Sequence, residues 1–188
     1  MFFLPLYDDN PTRSPAYLTW LIIMLCVSVH LWQMGLSPTE DRLISLQYGV
    51  VPALFFGVDS LPPEYQAIPP FLSPLTSMFL HGGLMHLGGN MLFLWIFGNN
   101  VEESMGRARY LVFYVLCGYA AAFFQGVFDM SSTIPMIGAS GAIAGVLAAY
   151  ALLYPKANIR TLVVIIIFIR VVSIPAAAVL LGWFLMQT

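Results

Sequence analysis

Ser140, His86 and Asn90 are the three residues in this sequence whose types and surroundings suit nucleophilic chemistry. Ser140 lies in the run Gly138-Ala139-Ser140-Gly141. A serine hydroxyl attacks a carbonyl when donors stabilise the oxyanion that forms and a base takes its proton. His86 and Asn90 are four residues apart, so on a helix they share one face, with Cβ atoms about 5–6 Å apart. Gly88 and Gly89 between them remove bulk and let a helix or a substrate backbone come close. A polar pair inside an apolar segment is functional by default. The Gly-Ala-Ser-Gly run also has a purely structural reading. Serine is a good helix N-cap, and Gly141, Gly145 and Ala149 form a small-residue stripe that packs helices tightly. On the functional reading, the same helix start sets the hydroxyl beside unpaired backbone N–H groups at the positive end. All three histidines, His30, His81 and His86, precede the serine. His30 reads as an interfacial or satisfied core residue.

The elements that would carry these residues are membrane spans. The 188 residues are 60% hydrophobic and 9% charged, with a mean hydropathy of +0.84. A soluble domain carries about 25% charge, so a water-soluble fold is excluded. Seven basic residues in all exclude a nucleic-acid surface. No spacing suits a metal or a cofactor, and Cys26 and Cys117 read as small apolar residues within the spans. An all-α polytopic bundle follows, as a single domain over residues 1–188. Its spans are placed at about 17–35, 75–97, 110–128, 139–154 and 171–187. The segment 17–32 is read as a retained span and not a cleaved signal, since no basic region precedes it and no small-residue cleavage site follows it. Residues 36–73 hold Glu40, Asp41, Arg42, Asp59, Glu64 and six prolines. They are read as a large ordered loop with short interfacial helices. The span at 139–154 is short, which suits a helix whose end opens into a water-filled cavity.

The stretch 161–187 has two readings. One is a single long helix with Arg170 embedded; the other is an interfacial segment to Arg170 followed by a fifth span. The second is preferred, because an arginine in mid-bilayer costs about 2.5–3.5 kcal/mol. Arg13, Arg107, Arg109, Lys156, Arg160 and Arg170 then fall on one side of the membrane and only Arg42 on the other. The positive-inside rule puts the N-terminus in the cytoplasm. Ser140 then starts span four from the outer side. His86 lies two to three turns below the outer end of span two, at a similar shallow depth.

Three runs, in this order and at these separations, resemble the rhomboid family of intramembrane serine proteases, of the bacterial type. They are His81-Gly82-Gly83-Leu84-Met85-His86-Leu87-Gly88-Gly89-Asn90, then Phe97-Gly98-Asn99-Asn100-Val101-Glu102-Glu103 with Gly106-Arg107, then Gly138-Ala139-Ser140-Gly141. The resemblance covers about residues 76–187 and the long first loop. It implies a helical bundle around a water-accessible cavity, with Ser140 as nucleophile. His86 and Asn90 would be oxyanion-stabilising side chains, joined by the Ser140 backbone N–H. It implies a supporting role for His81, a glycine at 138 that shapes the oxyanion turn, and one at 141 that lets the next helix pack closely. Glu102 and Arg109 would be structural, on the cytoplasmic side. The family's general base is a histidine on a sixth helix, in an Ala-His-x-x-Gly setting, which this sequence does not contain. A form shortened before that helix is expected, with five of the usual six core spans. The implied function is serine-type endopeptidase activity on membrane-anchored protein substrates, in the cell (inner) membrane, among membrane lipid and with no nucleic-acid partner. Alternatives are a non-catalytic rhomboid-like protein that binds transmembrane helices, and catalysis with His86 or His81 as a substitute base. A channel or transporter is disfavoured because no acidic residue lies inside a span.

Overall fold

A computed structural model describes residues 2–165 and 168–185. The chain begins with strand β1 (Phe2–Asp8), followed by helices α1 (Tyr17–Gln33), α2 (Pro38–Tyr48), α3 (Pro52–Phe55) and α4 (Ser73–Ser77). Then come α5 (Leu84–Met105), α6 (Arg107–Val127), α7 (Ser140–Leu153), strands β2 (Asn158–Ile165) and β3 (Phe168–Pro175), and α8 (Ala176–Leu185).

Helix α7 is the centre of the bundle, and Ala142, Ile143, Val146, Leu147, Ala149 and Tyr150 along it are buried. It packs on α5, α6 and α8. The small-residue stripe faces α6: a Cβ at Gly141 would meet Ala121, and one at Gly145 would meet Cys117. Outside, the molecule is apolar. Trp20, Leu21, Met24 and Leu31 on α1, and Leu111, Val112, Leu116 and Phe124 on α6, are exposed. Exposed apolar surface of this extent suits hydrocarbon and not water. Helix α6 is long and apolar enough to cross a membrane, and α1, α7 and α8 are shorter apolar helices.

Residues 36–73 fold as short pieces. Ser37 starts α2 with a capping box, its side chain and that of Glu40 each bonding the other's backbone N–H. The Ser37 hydroxyl and backbone N–H both donate to the Glu40 carboxylate and hold it below its usual range. The chain then breaks at Gly49, and Val50 exchanges backbone hydrogen bonds with Met136 at 3.0 and 2.8 Å. This ties the first loop to the segment leading into Ser140.

The start of α1 is held from α5. Helix α1 has no side-chain cap of its own, and four N–H groups at any helix start lack partners within the helix. The buried Glu102 carboxylate accepts from Leu18 N–H at 3.0 Å, Thr19 N–H at 2.8 Å and the Thr19 hydroxyl at 2.8 Å. Glu103 accepts from Ser14 and Arg13, and these bonds hold its carboxylate below the usual range. The structural role expected of Glu102 thus has a physical form. Arg109 is exposed and bonds to no described residue.

Three expectations are corrected. The chain is mostly helical but not all-α: β1, β2 and β3 form an antiparallel sheet with β2 in the middle. The stretch 158–175 is dense in Val, Ile and Thr, which favour a pleated strand because branching at Cβ restricts χ1 in a helix. Arg170 therefore sits in β3, paired opposite Val163, and not in a long helix, and the expected interfacial segment before it is a strand. The long helix starts at Leu84 and runs to Met105, not over 75–97. A break at residues 78–83 precedes it, and Gly83 at φ 151° forms its N-cap. Helix α8 starts at Ala176, after Pro175, rather than at 171, and the expected end of that span at 186–187 lies outside the described residues.

The sheet is latched to the far end of α7. Tyr150 donates its hydroxyl proton to Asp8 Oδ2 at 2.7 Å and accepts from Asn10 Nδ2 at 2.8 Å. Asn100 Nδ2 donates to the Asn10 carbonyl at 2.9 Å. Burial pushes the Asp8 carboxyl above its usual range, partly offset by the Tyr150 bond. Arg107 stacks its guanidinium 4.5 Å from the centre of the Tyr17 ring. The segments bearing Arg13, Arg107 and Arg160 thereby meet at one end of the bundle, opposite the end where α7 begins.

Candidate active site

Ser140 is the first residue of α7, and the N-cap position belongs to Ala139, which makes no side-chain cap bond. The serine is therefore not the helix cap that a bland reading of the motif suggests. Its hydroxyl is hydrogen-bonded to no described side chain, and it sits at the positive end of the helix, where the first N–H groups are free to bind an anion. Two residues earlier Gly138 adopts φ 121°, a left-handed conformation that side chains disfavour. Its N–H donates to the Ser77 carbonyl at 2.9 Å. A Cβ there would stand 2.7 Å from both Cε1 and Nε2 of His86 and 3.7 Å from Asn90 Nδ2. The missing side chain at 138 is what lets the loop before α7 press against the imidazole.

His86 occupies the first turn of α5, and Asn90 lies one turn further on, buried. Because the helix begins at Leu84, His86 is nearer its end than the two to three turns expected. Both His86 and Ser140 sit in the first turns of their helices. The His86 Nδ1 accepts from Gly82 N–H at 3.4 Å. With Nδ1 as acceptor, the neutral ring carries its proton on Nε2. That nitrogen is the one beside Gly138, so His86 is set up as a donor at the loop that leads into Ser140. Asn90 Nδ2 is buried with no described hydrogen-bond partner. An unmet buried donor costs about 1–3 kcal/mol, and an oxyanion held there would satisfy it.

Ser140, His86, Asn90 and Gly89 line one cavity of about 550 Å³. Met85, Phe93, Gln125 and Trp183 complete its wall. The three sequence-selected residues are therefore brought together. Gln125 and Trp183 were not singled out. Gln125 had a legible signal, a lone amide in the apolar run 110–128; Trp183 had none, because its placement depends on α8 folding against Phe93.

His81 is not on the helix with His86 but in the preceding break. Its N–H donates to Gln33 Oε1 at 3.1 Å, and its ring packs edge-on against His86 with centroids 5.2 Å apart. This is a supporting contact for the His86 ring. His30 is buried on α1, with neither ring nitrogen bonded to a described residue, so it is a core residue but not a hydrogen-bonded one. None of the three histidines hydrogen-bonds Ser140.

The sequence is 39% identical over 103 residues to Rhomboid protease GluP of Bacillus subtilis, covering 53% of this chain and 20% of that protein. It is 34% identical over 92 residues to Rhomboid protein 1, mitochondrial, of Saccharomyces cerevisiae, covering 47% and 27%. It is 30% identical over 121 residues to Presenilin-associated rhomboid-like protein A, mitochondrial, of Danio rerio, covering 60% and 32%. The chain thus spans about a third or less of the length of these curated relatives. The Rhomboid domain family matches residues 71–188, a stretch that holds the histidine break, the buried Glu102 and the Gly-Ala-Ser-Gly run, and the chain is a member of the rhomboid family.

Proposed function

We propose that this chain is an intramembrane serine-type endopeptidase acting on membrane-anchored protein substrates. The observation that carries the proposal is the shared cavity, in which Ser140 faces two side-chain donors, His86 and Asn90. Ser140 Oγ adds to the carbonyl carbon of a substrate peptide bond. The electron pair moves to the carbonyl oxygen, which takes hydrogen bonds from His86 Nε2–H, Asn90 Nδ2–H and the Ser140 backbone N–H. Each such donor is worth about 10²–10³ in rate. Collapse of the tetrahedral species breaks the C–N bond, and the hydroxyl proton ends on the leaving amine. Water then hydrolyses the acyl-enzyme. The proposal assigns the nucleophile and the donors and leaves the general base open. In this reading His86 serves as an oxyanion donor through Nε2–H. The bundle crosses the membrane several times with the sheet end in the cytoplasm, as the clustering of basic residues supports. The relative named Rhomboid protease GluP, of Bacillus subtilis, agrees with this reading.

One observation favours a second reading, a rhomboid-like protein that binds transmembrane helices without cutting them: no described side chain hydrogen-bonds the Ser140 hydroxyl. Fluorophosphonate labelling and cleavage of an unstable transmembrane substrate, in detergent and in liposomes, separate the two. The protease reading expects labelling that Ser140→Ala abolishes. Substrate binding without labelling or cleavage supports the second reading and overturns the first.

A further inference from the structure

The sheet at the far end of α7 lacks a polar face. A sheet with one side on a core ordinarily presents polar residues on the other. Near the bundle β2 follows that rule: Ile159 and Thr161 are buried, and Arg160 between them is exposed. Beyond Thr161 the alternation stops, and Leu162, Val163, Val164 and Ile165 are all partly or fully exposed. The strand register sets Leu4, Leu162 and Val171 in one row across the sheet, with Val164 and Ile169 paired in the next row on that face. Val171 is 51% exposed and Ile169 67%. On the same face, nearer the bundle, Tyr7, Arg160 and Ser173 form a polar rim.

The charge on this segment has one sign. Residues 156–175 contain Lys156, Arg160 and Arg170 and no acidic residue. The neighbouring Asp8 and Asp9 are engaged at the bundle end, by Tyr150 and Asn158. Strand β3 runs directly into the apolar helix α8 at Ala176, so a membrane that holds α8 begins where the sheet ends. An apolar face with an aromatic and an arginine at its rim is an arrangement by which segments lie in a headgroup layer.

We infer that the outward face of this sheet, with Leu4, Leu162, Val171 and Ile169 at its centre, lies on the membrane surface, with Arg160 at its rim and Lys156 in the turn before β2 taking anionic lipid phosphates. The inference rests on the helices spanning a membrane and not on the protease reading. It makes the sheet a lipid-reading surface that is bonded, through Asp8 and Tyr150, to the same helix that carries Ser140. Each basic residue near an anionic surface contributes about fivefold to its attraction.

The test uses spin labels on the whole chain in nanodiscs of phosphatidylcholine alone or of an equal mixture with phosphatidylglycerol. Labels are placed at Ile169→Cys and Val171→Cys. Leu116→Cys on α6 is the control for spanning, and the parent with Cys26 and Cys117 is the labelling blank. Collision with oxygen against a water-soluble nickel chelate reports depth. The expected result is that the sheet labels are shielded from nickel, more so in the anionic nanodiscs. Arg160→Gln should remove roughly fivefold of the anionic preference, and Arg170→Gln, on the opposite face of the sheet, should remove less. Sheet labels open to nickel in both lipids, while Leu116 stays shielded, overturn the inference. Shielding with spin–spin broadening between copies overturns it in favour of a dimer contact. An exposed Leu116 label overturns the membrane placement itself.

Discussion

Gly138→Ala tests whether the loop before α7 is shaped to press on His86. Two costs follow from the geometry. The residue sits at φ 121°, so any side chain there adds about 1–3 kcal/mol of backbone strain. The new Cβ also lands 2.7 Å from two atoms of the imidazole. Carbon contacts sit near 3.5 Å, so the ring must retreat by about 0.8 Å, and overpacking of this kind costs a further ~1–3 kcal/mol. The two costs separate in a double-mutant cycle. In a His86→Ala background the ring is gone, and Gly138→Ala should cost the strain alone. The expected coupling is at least ~1 kcal/mol, well beyond the ~0.3–0.5 kcal/mol scatter of additive pairs. Gly106→Ala is the matched control, with φ 79° and no atom within 4 Å of its Cβ position: strain without a clash, and no coupling to His86. Unfolding in mixed detergent micelles measures all four corners. The rate of fluorophosphonate labelling should fall on the order of 10²-fold in Gly138→Ala, since a shift near 1 Å at a reacting centre has that effect. Additive stabilities for Gly138→Ala and His86→Ala would refute the contact. Equal labelling losses in the Gly138 and Gly106 variants would refute its role at the site.

Two further outcomes follow from the packing. Glu102→Ala should destabilise the bundle by about 2–4 kcal/mol, because two backbone N–H groups and a hydroxyl lose a charged acceptor in a buried place; hydrogen exchange at Leu18 and Thr19 should rise with it, and unchanged exchange there would sink the capping account. Gly141→Ala should cost about 1–3 kcal/mol by overpacking against Ala121, and Ala121→Gly should restore most of it, less the ~1 kcal/mol that glycine costs inside a helix; a double variant no more stable than Gly141→Ala would show that the close approach is not what the glycine is for.

The candidate site was legible because its signals are local. Four-residue spacing on α5 set His86 and Asn90 on one face, and the stripe Gly141, Gly145, Ala149 marked the face of α7 that packs on α6. The sheet was hidden for the same reason that makes it interesting. Strand recognition from sequence rests on alternation, and a strand apolar on both faces has none, so 161–169 read as a membrane-interfacial piece. Its β-branched density was the available clue. Pairing with β1, more than 150 residues away in sequence, left no trace in either segment alone. The start of α5 was missed because hydropathy runs unbroken across the break at 78–83. Gly82-Gly83 was the punctuation that marks it. Its end was missed because Asn99, Asn100 and Glu102 look like a span boundary. They continue the helix because Asn10 and the start of α1 supply the partners for Asn100 and Glu102.

The length of α7 connects the two ends of the molecule. Its fourteen residues, at about 1.5 Å each, reach only about 21 Å, against ~30 Å of hydrocarbon. On the proposed placement, in which α7 crosses the membrane, a helix that short falls below the surface at one end. Which end is decided by polarity. Tyr150 is bonded to Asp8 and Asn10, groups that belong at the headgroup layer, so that end is pinned at the interface. The shortfall of roughly 9 Å then lies wholly at the Ser140 end. That is where the cavity is, and where unpaired donors at Asn90 and the first turn of α7 require a polar partner. A longer α7 would carry the serine up to bulk water; an unpinned one would let it drift in depth. On that proposed placement the sheet latch, far from the candidate site, sets how deep in the membrane the hydroxyl sits.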